Sequence, residues 1–216
     1  MKKLGFLVAL LFCFGAVAQA STIVLDFGGL QNLEPILNYY SGGFGGLGSG
    51  PGPNYGIVFG ADSLSIISQD KGGTGNYSLN PGVNIAFFLS GPGDVMDVAG
   101  GFTIGFSFFY ASPFYSGSVD VYDGLDGTGN LLASLPLAIT PGYCDPNHAY
   151  SCWVATGVSF SGTAESAVFT GVANYIGFAD ITLGSSNPGT PEPGTWLMLG
   201  SGLLGVAGVV RRKLNF

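Results

Sequence analysis

Positive charge is nearly missing from this chain. Six of its 216 residues are Lys or Arg and one is His, against thirteen Asp or Glu, for a net charge of −7. Lys2, Lys3, Arg211, Arg212 and Lys213 lie at the two ends, so between residues 21 and 190 Lys71 stands alone against twelve acidic residues, a net −11. Such a body lacks the Lys/Arg stripe that counterion release on a phosphate backbone requires, which excludes nucleic acid as a partner. Catalytic equipment is scarce too. There is no Gly-x-Ser-x-Gly elbow, no phosphate-binding Gly-Lys-Ser/Thr loop and no His-Glu-x-x-His pair. A Ser-His-Asp triad would have to use His148, the only histidine, in the turn-forming stretch "CDPNHAYSC". Paired-carboxylate chemistry depends on a separation that only tertiary structure sets, and just two of the twelve acids, Glu34 and Glu165, are glutamates. No catalytic residue is assigned, and the expectation is a protein without enzymatic activity.

Leu-Glu-Lys helical patterning is equally absent. Gly is abundant, at 38 residues, together with Phe, Tyr, Val and Ile. The expected strands are 22–27, 55–60, 83–89, 101–110, 117–123, 130–135, 152–160, 166–171 and 175–183. In the fifth, Val119 and Val121 alternate with Asp120 and Tyr122, the pattern of a strand with one wet face. Many short strands divided by Gly, Pro, Asn and Asp predict an all-β fold, an antiparallel β-sandwich of jelly-roll-like kind, in a single domain over residues 21–184 with a linker at 185–190. Residues 30–40, "LQNLEPILNYY", offer one short helix, interrupted by Pro35.

The stretch "SGGFGGLGSGPGPNYG" (41–56) contains Gly43-x-Gly45-x-x-Gly48, but no strand leads into it and Pro51 and Pro53 forbid a following helix. It reads as a surface loop that tolerates positive φ, not as a dinucleotide site. Of three cysteines, Cys13 belongs to the N-terminal apolar run, leaving Cys144 and Cys152 as a pair in an oxidising compartment. A disulfide is expected. The rival is a metal site, Cys144-x3-His148-x3-Cys152, which lacks a fourth ligand and needs a helix through Pro146. Bridging requires the segment to double back, because eight helical residues separate Cα atoms by about 12 Å.

No cofactor is required by anything in the chain, but calcium is a candidate. Asp123-Gly124 and Asp126-Gly127 in "DVYDGLDGTGN" lack EF-hand spacing and suit a hairpin turn. Asp26 closes the first expected strand and Asp180 lies in the last, so if those strands adjoin, two carboxylates share one oxygen-ligated cation.

The ends carry the clearest signals. Lys2 and Lys3, the apolar run 4–17 and Ala18-Gln19-Ala20 read as a signal peptide and signal helix over residues 1–20, cut by a signal peptidase before Ser21. At the other end Gly194 to Val210 is 17 uncharged residues, about 26 Å as a transmembrane helix. Arg211, Arg212 and Lys213 act as a basic stop that holds the C-terminus in the cytoplasm and leaves the body outside. Pro191, Glu192 and Pro193 then stand extended at the outer membrane boundary. This order over residues 191–216, Pro-Glu-Pro, Gly-rich apolar span with Trp196 and basic triplet, resembles the PEP-CTERM sorting signal of exported Gram-negative proteins. The resemblance implies an exosortase partner, cleavage near the motif and passage from an inner-membrane precursor to the cell surface or medium, often alongside exopolysaccharide. The body, with "NYYSGGFGGLGSGPGPNYGIVF" and "NYIGFADITLGS", looks more loosely like the β-sandwiches common in such proteins.

Three readings of function remain open from the sequence. The body is a structural or adhesive component of the extracellular matrix, or it is a glycan-binding module in which Tyr115, Tyr143, Tyr150 or Trp153 stack on sugar faces, or the tail is a permanent membrane anchor.

Overall fold

The computed structural model describes residues 22–188; residues 1–21 and 189–216 lie outside it, including the expected signal helix, the sorting motif and the expected membrane span. Among the described residues twelve strands form two antiparallel sheets. They are β1 (Ile23–Leu25), β2 (Glu34–Pro35), β3 (Ile57–Phe59), β4 (Ser63–Ile67), β5 (Asn84–Phe88), β6 (Gly93–Phe102), β7 (Gly105–Ala111), β8 (Gly117–Tyr122), β9 (Leu131–Leu137), β10 (Val154–Ser159), β11 (Ala164–Thr170) and β12 (Gly177–Leu183). The larger sheet runs β10-β7-β12-β5-β4-β2, with β1 also paired to β12. The smaller runs β3-β6-β11-β8-β9.

Alternation builds the core between the sheets. Phe106, Phe108 and Tyr110 of β7 face Val119 and Val121 of β8 and Ala167 and Phe169 of β11 within one buried cluster. Rings meet edge to face, with Phe169 4.8 Å from Phe178 and Phe108 5.6 Å from Phe178. A smaller second cluster covers the outer face of the larger sheet, where Tyr77, Ile85 and Ala179 pack with Ile66, Phe109, Tyr150 and Trp153.

The last strand shows how register meets burial. Strict alternation from Phe178 would turn Asp180 and Thr182 inward and Ile181 and Leu183 out. Instead the pairing with β7 shifts between Ala179 and Thr182, and Asp180 takes φ 48°. This bulge uses one left-handed residue, a conformation that Asp tolerates better than most. Ile181 and Leu183 thereby enter the core, each 1% exposed.

Two sequence expectations are corrected. Residues 30–40 hold no helix: Pro35 removes a backbone donor, and Leu33 and Leu37 adopt positive φ, which a right-handed helix excludes. Strands β4 and most of β6 were not expected, since "SLSII" is short and "GDVMDVAGGF" is interrupted by Asp and Gly. The Gly-rich stretch 41–56 is the expected surface loop, with positive φ at Gly42, Gly48, Gly50 and Gly56, and it is held by a buried carboxylate. Glu34 is fully buried; its Oε2 accepts from the Gln31 N–H (2.6 Å), and its Oε1 from the N–H groups of Leu47 (2.9 Å) and Ser49 (3.0 Å). Burial pushes the Glu34 carboxyl up, but the hydrogen bonds from Gln31, Ser49 and Leu47 together outweigh it and hold the group below its usual value. Gly45 is needed there, because a Cβ would lie 2.5 Å from Glu34 Oε1.

Candidate functional site

The antiparallel ladders give the sandwich two poles. Strands β7, β9 and β11 end, and β8, β10 and β12 begin, at the pole called here the tip, where loops 112–116, 138–153 and 171–176 meet. Buried Ser112 ties these loops together. Its one hydroxyl proton is shared between the carbonyl oxygens of Tyr115 (2.5 Å) and Tyr175 (3.1 Å), and its backbone exchanges hydrogen bonds with Thr140. Around it stand four exposed rings: Phe114 (46%), Tyr115 (45%), Tyr143 (60%) and Tyr175 (38%). Tyr175 lies 4.9 Å from Tyr115 and 5.8 Å from Phe114, and Phe114 lies 5.9 Å from Tyr150, all edge to face. The Tyr150 hydroxyl donates to the Asn174 carbonyl at 3.3 Å. Its pKa is pushed up to about 12, first by burial and then by the neighbouring hydroxyls of Tyr175, Tyr115 and Tyr143. Rings held at mutual angles by backbone anchors form a preorganised apolar surface edged with hydroxyls.

Loop 138–153 doubles back as the cysteine spacing demands. Cys144 and Cys152 are disulfide-bonded with Cα atoms 5.3 Å apart, so the alternative Cys-His-Cys metal site does not form. Within the closed loop His148 is buried, its Nδ1 2.7 Å from Asp145 Oδ2 and its Nε2 3.3 Å from Asp70 Oδ1. The hydrogen bond to Asp145 raises its pKa, burial opposes this, and the charge of Asp70 adds to the rise. With a carboxylate near each ring nitrogen, protonation of His148 is easier than in a free imidazole, and the ring lies between the disulfide loop and the 3-10 turn at Gln69–Lys71. Trp153 is half-buried in the outer-face cluster, 6.0 Å from Tyr77, and is therefore not one of the exposed aromatics.

The first and last strands do adjoin. Val24 pairs with Thr182 and Leu25 with Ile181, so the next step of the register sets Asp26 beside Asp180. Asp180 is 8% exposed, and burial first, then the Asp26 carboxylate, pushes its pKa up to about 6. Asp26 is exposed and its Oδ1 accepts from the Gly28 N–H at 3.0 Å. Among the described residues no three His, Cys, Asp or Glu side chains converge on one point, so a cation here would draw its remaining ligands from backbone oxygens or water.

The structure thus brings together Cys144 with Cys152, Asp26 with Asp180, and Tyr115, Tyr143 and Tyr150 at or near one pole. Pro191, Glu192, Pro193, Arg211, Arg212 and Lys213 lie outside the described residues. Sequence reasoning missed Phe114 and Tyr175, although "SPFYSG" is an aromatic pair in a Pro- and Gly-flanked loop and signals exposure. It also missed Glu34 and Ser112, most of whose partners, Leu47 and Ser49 for the first and Thr140 and Tyr175 for the second, are remote in sequence and leave no local signal.

Several solved structures resemble the body weakly. The carbohydrate-binding module CBM6cm-2 of Cellvibrio mixtus lichenase 5A, in complex with cellotriose, is 14% identical over 57% of this chain and 86% of its own, with a TM-score of 0.37. A β-1,3-glucan-binding CBM6 from Bacillus halodurans is 17% identical over 56% and 84%, TM-score 0.36. The K3 adhesin domain of Lys-gingipain from Porphyromonas gingivalis is 14% identical over 58% and 93%, TM-score 0.34. Likeness at this level identifies no ligand for the present chain. No curated protein matches the chain. The tail is different, because residues 189–213 match the family profile of the PEP-CTERM protein-sorting motif, the signal expected from Pro191-Glu192-Pro193 and the basic triplet. The chain carries a PEP-CTERM sorting motif, which marks it as an exported protein of the kind sorted by an exosortase.

Proposed function

We propose that the processed protein is a non-catalytic surface or matrix component that holds extracellular polysaccharide through the aromatic tip. The observation that carries this reading is the exposed set Phe114, Tyr115, Tyr143 and Tyr175, in which the backbone of Tyr115 and Tyr175 is anchored through Ser112 and Phe114 packs edge to face on Tyr175. The flat apolar faces of pyranose rings stack on such side chains, while hydroxyl edges satisfy the sugar hydroxyls. A body of net −11 repels acidic polymers, so the occupant is an uncharged polysaccharide. Calcium shared by Asp26 and Asp180 would be structural in this reading, distant from the stacking surface along β12.

Affinity electrophoresis of the processed protein through gels containing soluble β-glucan, with alginate as the anionic control, tests the proposal. Retardation by the neutral polymer alone is expected. Tyr115→Ala and Tyr175→Ala should each weaken it about tenfold, a change of about 1.4 kcal/mol, with thermal stability little altered because both rings are surface groups. Unretarded wild-type protein, or alanine variants that bind as well as wild type, would leave a purely structural role.

The sorting half of the proposal names a signal peptidase, an exosortase and the membrane as successive partners. Mass spectrometry of the native surface protein should find an N-terminus at Ser21 and a C-terminus near Pro193. Replacing Pro191 and Pro193 together by Ala should accumulate the membrane-bound precursor. Recovery of an intact tail in the mature form would favour the permanent anchor instead.

A further inference from the structure

The pole opposite the tip, the base, is where the chain leaves the domain. Because β1 pairs with the end of β12, Ile23 lies against Leu183, and both ends of the described chain are there. The exit segment does not swing free. The Gly184 N–H donates to the Gly105 carbonyl at 3.0 Å, and Ser107 Oγ donates to the Ser185 carbonyl at 2.9 Å. Ser185 Oγ accepts from the Asn187 N–H at 3.1 Å and tightens the next turn.

Two glycines make room for it. A Cβ on Gly157 would come within 2.1 Å of the Ser186 carbonyl oxygen, and one on Gly105 within 2.6 Å of the Ser186 nitrogen. Both contacts are with backbone, which cannot rotate away as a side chain can. Gly105 on β7 and Gly157 on β10 are therefore a cradle that seats Ser185 and Ser186 on the outer face of the larger sheet, within two residues of its base end.

Lengths then decide how the domain can sit. From Ser186 to Pro191 is five residues, at most about 18 Å when fully extended. A domain of about 170 residues has a radius of gyration near 15 Å and is about 40 Å across. The seven residues of β12 alone put about 20 Å between base and tip. Turning the domain over on its tether would require the chain to pass halfway round it, roughly three times the length it has.

We propose that the base is the face held against the membrane or cell surface to which the C-terminal segment is joined, so that the aromatic tip is presented outward. The inference rests on the reading that the C-terminal segment holds the protein to a surface, and it adds which pole meets the polymer. The seated exit segment makes the domain a directional adaptor. Exposed Ile104 and Leu131 belong to the inward pole, and exposed Tyr115 and Val172 to the outward one.

The test uses the full chain, expressed in a host without an exosortase, and compares membranes with the same protein in mild detergent. Single substitutions Ile104→Cys, Leu131→Cys, Tyr115→Cys and Val172→Cys are labelled with a bulky polyethylene-glycol maleimide. Both base positions should react several-fold more slowly in membranes than in detergent, and both tip positions at equal rates in the two. A Gly/Ser insert of about thirty residues after Asn187, with a root-mean-square span near 30 Å, should abolish the difference by freeing the domain. Equal protection of the two poles, protection of the tip, protection that survives the insert, or a chain missing from the membrane fraction would each overturn the proposal. None of these outcomes alters polysaccharide binding by processed protein in solution, and loss of that binding would leave the orientation measurement intact, so the two readings fail separately.

Discussion

Replacing Glu34 by Ala is expected to lower stability by about 3 kcal/mol, because three backbone N–H groups, two in the loop and one at Gln31, lose their acceptor at once and cannot all reach water. For a domain of this size that is a fall in Tm of about 6–12 °C. Glu34→Gln keeps the shape and one carbonyl acceptor, so it should lose less than the alanine variant. The pH dependence has a definite sign. Glu34 is held below its ordinary value of 4.5 in the folded protein, so its contribution is complete above pH 4.5 and disappears as the pH falls through the lowered folded value. Melts of wild type and Glu34→Ala between pH 3 and 7 should therefore converge on acidification. A variant that melts with wild type at pH 7, or a difference that persists unchanged into acid, would remove Glu34 as the organiser of the 41–56 loop.

Calcium should act in the opposite half of the pH range. Asp180 is raised from 3.8 to about 6 in the fold, so the native state binds that proton more tightly and stability falls as the pH rises from 3.8 through 6. The displacement amounts to about 3 kcal/mol, or roughly 2 after allowing for solvent screening. Above pH 6 the native protein carries the buried charge beside Asp26, which is the state a hard cation would stabilise. At a hundredfold excess over its dissociation constant a bound cation contributes about 2.7 kcal/mol. At pH 7.5 and matched ionic strength, calcium is expected to raise the melting temperature more than magnesium or sodium, since magnesium demands a tighter octahedral shell and sheds water reluctantly. Asp180→Asn should raise the cation-free stability above pH 6 and abolish the calcium increment; Asp26→Asn should abolish most of it. Three salts that act alike, or an increment that survives in both variants, would leave two carboxylates in electrostatic strain and no site.

Some of this was legible in one dimension. The all-β class follows from β-branched and aromatic runs punctuated by Gly, Pro and Asp, and Val119 and Val121 fall inward as their alternation requires, because side-chain direction in a strand has a period of two whatever the topology. The disulfide followed from parity and compartment. The short helix expected over 30–40 is absent, since Leu30, Ile36, Tyr39 and Tyr40 reach the core along a chain that turns through left-handed backbone at Leu33 and Leu37, which no periodicity encodes.

Taken alone, the amino-acid order determined the chain's route and its class: the Pro-Glu-Pro, apolar and basic succession at the C-terminus is read as a linear signal, and alternation with turn residues is a local property of the backbone. Only the tertiary structure decided which residues meet. Ser112 touches Tyr175 across 63 positions, Glu34 reaches Ser49 across 15, and Asp180 stands beside Asp26 because the first and last strands pair. The same packing brought both ends of the body to one pole and the exposed rings to the other. Those distances depend on sheet order and loop closure, which sum over the whole chain and leave no mark in any short stretch of it.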